Sequence, residues 1–71
     1  MDYAIVCSTT PQCKPILQQF IGENNIDESK VHWGLIPYRV DVSADDRVWV
    51  IPADFFNRWS HGREYEVIFE I

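Results

Sequence analysis

At 71 residues the chain holds one domain, and its formal charge of −5, from 11 acids against six bases, excludes the clustered Lys/Arg face of a phosphate-backbone binder and disfavours anionic membrane surfaces. An apolar fraction of 46% with ten aromatic rings excludes disorder, and no apolar run approaches the roughly 20 residues of a membrane span. The acidity is too modest for a mimic of DNA.

Asp2–Cys7 predicts a first strand, apolar on both faces as a central strand requires. Ser8-Thr9-Thr10-Pro11 leads into a helix, with Thr10 as the expected N-cap and Pro11 at the first helical position. Cys13, Ile16, Leu17, Phe20 and Ile21 recur at helical spacing and form one apolar face. Pro15 lacks a donor and crowds the carbonyl four residues back, so the regular helix is expected to begin only there. Gly22 and Asn24-Asn25 end it.

Val31–Val42 reads as one extended stretch. Gly34 and Pro37 mark a bulge or an edge position, and Tyr38, Val40 and Val42 alternate with Arg39 and Asp41. Ser43–Asp46 is a polar turn and Arg47–Ile51 the partner strand of a hairpin. Pro52 opens a short helix, Ala53–Trp59, stopped by Ser60-His61-Gly62. Glu64–Ile71 alternates most clearly, with Tyr65, Val67, Phe69 and Ile71 facing in, Glu64, Glu66 and Glu70 facing out, and Ile68 as the exception. The order β-α-β-β-α-β predicts an α+β domain: a four-stranded antiparallel sheet with one good helix and one short helix on a single face. This resembles the split βαβ pattern of ferredoxin-like domains. A small curled sheet is the alternative.

Cys7 and Cys13 bracket the first strand-to-helix turn, where helix amides lower a thiol pKa. The segment Cys-Ser-Thr-Thr-Pro-Gln-Cys-Lys-Pro before an apolar helix is loosely similar to the reactive region of thioredoxins and glutaredoxins, but five residues separate the cysteines where that family has two. A minimal thiol-redox protein using Cys7 and Cys13 is therefore the second functional expectation. The plainer reading makes both cysteines small hydrophobes. With His32 and His61 they lack the close ligand pairs of a zinc site, so no metal and no cofactor are expected. Ser8, Thr9 and Thr10 read as turn and cap residues, and Asp45, Asp46 and Asp54 form no general-acid pair.

The aromatic surplus remains. Six of the ten rings, Trp33, Tyr38, Trp49, Phe55, Phe56 and Trp59, fall within 27 residues. Those after Pro52 close a core, completed by Phe20 and Phe69. Trp49 is expected on an open sheet face, with Trp33 near it. Open-face rings resemble the stacking platforms of RNA-binding RRM domains, but the flanking bases are missing, so no nucleic acid is expected. A protein partner fits better, since interface hot spots are rich in Trp, Tyr and Arg. The expected partner-binding set is Trp33, Tyr38, Arg39, Arg47 and Trp49, with Asp45 and Asp46 facing a basic rim. The function expected is that of a small, acidic, non-enzymatic binding protein, an inhibitor or adaptor of phage, plasmid or immunity type. Pairing along an exposed strand edge is a competing mode, and homodimerisation stays open. Two cysteines in a small chain with no secretion signal in Met1–Cys7 point to reduced thiols in the cytoplasm, and the start at Met1 is expected of a complete small reading frame.

Overall fold

Asp2–Cys7 forms strand β1, and its last four residues, Ala4 to Cys7, are buried from both sides. A computed structural model describes residues 1–71 throughout. Helix α1 spans Thr10–Glu23, so the helix is regular through Pro15 instead of starting there. Burial of Cys13, Leu17 and Ile21 along one stripe holds it across the single backbone bond that Pro15 cannot make. The N-cap is Thr9, not Thr10: its backbone is extended, and its N–H donates to Gln12 Oε1 at 3.2 Å. Pro11 therefore sits in the first turn, where an N–H has no helical acceptor. At the other end Asn25 takes a left-handed φ of +52°, and the Ile26 N–H donates to the Ile21 carbonyl at 3.0 Å, closing the helix.

The stretch expected to be one strand is two. After a 3₁₀ turn at Glu28–Lys30, β2 (Val31–His32) and β3 (Tyr38–Asp41) pair antiparallel, with Val31 opposite Val40 and His32 opposite Arg39. Gly34 and Pro37 thus belong to a loop that reverses the chain, not to a bulge. β4 (Arg47–Pro52) pairs antiparallel with β3, followed by α2 (Ala53–Ser60), a turn at Gly62 with φ +69°, and β5 (Tyr65–Glu70).

This extra reversal changes the sheet. The expected four-stranded antiparallel arrangement is replaced by five strands in the order β2-β3-β4-β1-β5, with β1 parallel to both β4 and β5. Running from β1 to β4 and from β4 back across β1 to β5, the two crossovers travel in opposite directions. A common right-handed sense then puts their helices on opposite faces. The two cores agree with this. Ile5, Cys7, Val40, Val48 and Val50 pack with α1 through Cys13, Leu17 and Ile21. Ala4 and Ile51 pack with Trp59 of α2, ringed by Trp49, Phe55, Phe56 and Tyr65. The expectation of both helices on one face is therefore corrected. What stands is a small α+β domain with two helices and a mixed five-stranded sheet, broadly ferredoxin-like in element order.

β5 also departs from expectation. Its pairing with β1 shifts between Ala4 and Ile5, which leaves Ile68, the residue that broke the alternation, without a partner on β1. Val67, Phe69 and Ile71 do not face in; they are exposed on the sheet edge together with Ile68, so Phe69 does not complete the core.

Candidate functional site

Period-two alternation sorts the expected binding residues between the two faces. Arg39 pairs with Trp49 and with His32, and Asp41 pairs with Arg47, so these five side chains share the α2 face. Tyr38 pairs with Val50 and turns to the α1 face, where its ring meets Trp33 edge-on at 5.1 Å. Lys14 of α1 stands over the same indole, 5.8 Å from its centroid. The face expected to be open is half covered, because α2 is only eight residues long and seats its rings over β4, β1 and β5.

Trp49 marks the margin of that cover. Its ring lies 5.9 Å from Trp59, and the guanidiniums of Arg39 and Arg63 approach it at 5.7 and 5.0 Å. Arg63 is fixed in place: it bonds Asp2 Oδ2 at 2.9 Å and the Trp59 carbonyl at 3.0 Å. Beyond Trp49 the bare half of the face carries a charged cluster. Asp41 Oδ2 lies 2.7 Å from His32 Nε2, and Asp41 Oδ1 lies 3.0 Å from Arg39 Nε and 3.8 Å from Arg47 Nε. His32 Nε2 is also 3.0 Å from Arg39 Nη2. One ring nitrogen cannot donate to the carboxylate and accept from the guanidinium. The shorter contact needs a donor, so Nε2–H points to Asp41 and Arg39 is held by the same carboxylate. Desolvation works to raise the Asp41 carboxyl, but the His32 hydrogen bond and the Arg39 charge outweigh it and hold it below its ordinary value. Two guanidiniums thus share one carboxylate, which makes this patch locally basic on an acidic chain.

The loop between β2 and β3, which contains a cis Ile36–Pro37 bond, overhangs this patch. Together they enclose a surface hollow of about 540 Å³ lined by His32, Trp33, Leu35, Pro37, Arg39 and Trp49. Leu35 lies at the rim with 85% of its surface exposed. The structure therefore brings Arg39 and Trp49 together at one hollow, with Arg47 joined through Asp41, while Trp33 touches the hollow's edge and packs its indole with Tyr38 against the α1-side core. It leaves Tyr38 on the other face. Asp45 and Asp46 lie apart, where the chain-terminal amine of Met1 bonds the Asp45 carbonyl and pairs with Asp46 Oδ1 at 3.3 Å. Leu35 is the residue that sequence reasoning passed over. Its signal was an apolar pair, Leu35-Ile36, set between two turn residues.

Cys7 and Cys13 are both free and buried in the α1-side core. Burial, then a hydrogen bond and the charge of Cys13, push the Cys7 thiol up to about 12, and burial likewise raises Cys13. Such a site disfavours the thiolate that nucleophilic or redox chemistry uses. No three His, Cys, Asp or Glu side chains stand close enough to hold a metal ion, and no helix is long and apolar enough to cross a membrane.

No protein-family model, no curated protein and no solved structure matches the chain.

Proposed function

We propose that this chain is a small protein-binding domain that acts as an inhibitor or adaptor by presenting the Trp33–Pro37 loop and the hollow beneath it to a partner. The observation that carries the reading is Leu35, held 85% exposed beside a hollow walled by Trp49, Arg39 and Pro37, with Trp33 at its edge. An apolar anchor with aromatic walls and an arginine rim is the composition of an interface hot spot. The local excess of guanidinium over carboxylate suits a partner surface that is apolar at its centre and acidic at its edge. Trp49 supports the hollow by packing on Trp59, so its removal would disturb the fold as well as the surface.

Leu35 separates those effects. A photo-crosslinking phenylalanine derivative placed at position 35 should give one discrete adduct in lysate, while the same group at exposed Glu28 gives none. Leu35→Asp should abolish partner capture with the thermal midpoint unchanged. Equal adducts from both positions, or capture that survives Leu35→Asp, would contradict the proposal.

A further inference from the structure

The opposite face carries a second uncovered surface. α1 lies over β3, β4 and β1 and leaves the adjoining strip above β1 and β5 bare. Two hollows, of about 250 and 470 Å³, line this strip and meet at Phe20, which belongs to both. Their walls are apolar: Ile16 and Phe20 from α1, Phe69 and Ile71 from the end of the chain, Tyr3 and Ile68 from the sheet. Their charged residues are Glu23, Asp46 and Glu66; Asp46 is already paired with the Met1 amine, so Glu23 and Glu66 are the carboxylates that rim the strip without a cationic partner.

We infer that this groove is a docking site for an amphipathic helix of a partner protein, apolar on one face and rich in Lys or Arg along its flanks. The wall-to-wall geometry is that of a missing layer element: one side is a helix, the floor is a sheet face, and the free position beside α1 is where a second helix would pack. The strands beneath run six residues, about 20 Å, which a helix of about 13 residues would cover. Charge selects the occupant. Glu23 and Glu66 favour a basic flank and repel an acidic one. A second copy of this chain is disfavoured on the same ground, because it would bring the same carboxylates, Glu23 and Glu66, to the groove. The unpaired Ile68 irregularises the β5 edge against strand addition. This groove lies on the other side of the sheet from Leu35, so the two surfaces are able to be occupied together.

The probe is a synthetic amphipathic peptide of about 14 residues with Leu at helical spacing and Lys elsewhere, titrated into the isotopically labelled chain and followed by NMR. Two controls accompany it, one with Glu in place of Lys and one with central prolines. The expected result is shift changes confined to Ile16, Phe20, Ile68, Phe69 and Ile71, with helicity induced in the peptide. Raising the salt should weaken the binding, and the variant Ile68→Lys should lose about tenfold or more in affinity at unchanged amide dispersion. Equal binding of the acidic or proline-bearing peptide, shifts mapping to the Leu35 side, or no shift at about millimolar peptide would overturn the inference. So would sedimentation as a dimer with the same residues covered.

Discussion

The two faces of the sheet solve one problem with different materials. On the α1 side a helix of 14 residues covers three strands, and the buried centre is aliphatic side chains and two thiols, with the rings of Tyr3, Phe20, Trp33 and Tyr38 only at its edge: Ile5, Leu17, Val40 and Val50 are completely buried. On the α2 side only eight helical residues are present, and large rings make up the cover. Trp59 is buried at the centre, with Phe56 and Tyr65 within 6.0 and 5.3 Å of it and Trp49 at the margin. The aromatic surplus is thus a consequence of two separate cores in a short chain. A ring covers about 150–250 Å², so a few of them replace the turns that α2 lacks. Where the rings stop, the Leu35 hollow begins.

Removing the central ring should have the largest effect. Trp59→Ala is expected to lose about 4 kcal/mol in urea unfolding and Leu17→Ala about 3, the first leaving a cavity on one face and the second on the other. A loss at Trp59 of about 0.5 kcal/mol, the size of a surface substitution, would mean that the α2 side is not a core in its own right. The α1 side has a signature of its own above neutral pH. A thiol pushed up from 9.0 to about 12 stabilises the fold fully below pH 9, and that contribution is lost as pH rises from 9 towards 12. Alkaline unfolding should therefore be shifted upward in Cys7→Ala, and thiol labelling near pH 7 should be slow until the chain is unfolded. Rapid labelling of the native chain would return thiol chemistry to consideration.

Subtler substitutions test the separation directly. Ile5→Val and Ile51→Val lie in different cores and should each lose about 1 kcal/mol, with the double variant additive within about 0.5. Coupling beyond that would merge the two cores into one. The smallest effect belongs to the charged patch. The Asp41 carboxyl is held below its ordinary value, so its contribution is present above the unfolded-state pKa and lost as pH falls through the folded one. Because the group is partly exposed, Asp41→Asn should lower stability at pH 6 only slightly and flatten its decline towards pH 3.

Local residues carried much of this fold and little of its topology. β1 is marked at both ends by the sequence, since a run apolar on both faces admits only a central strand. α2 is equally legible from Pro52, the ring spacing and Gly62. The reversal at Gly34–Pro37 was not, because a strand of two residues has no periodicity to read and a loop of turn residues looks like a bulge. That single difference converts antiparallel neighbours into parallel ones and sends the helices to opposite faces. Of the site, Arg39 and Trp49 are visible in the sequence as a base and a ring on one hairpin. Tyr38 has the parity of the other face, and the Trp33 ring follows it there. Asp46 looks free in the sequence because its partner, the Met1 amine, is 45 positions away along the chain.

Everything proposed for the two surfaces depends on the parallel pairing of β1 with β4. The most direct test is the pattern of interproton contacts in the labelled protein. Parallel-type contacts are expected in the register Ala4–Trp49 and Ile5–Val50, together with Trp59 ring contacts to Ala4 and Ile51. Close Hα–Hα pairs between β1 and β4, or Trp59 ring contacts to Leu17, would contradict this arrangement.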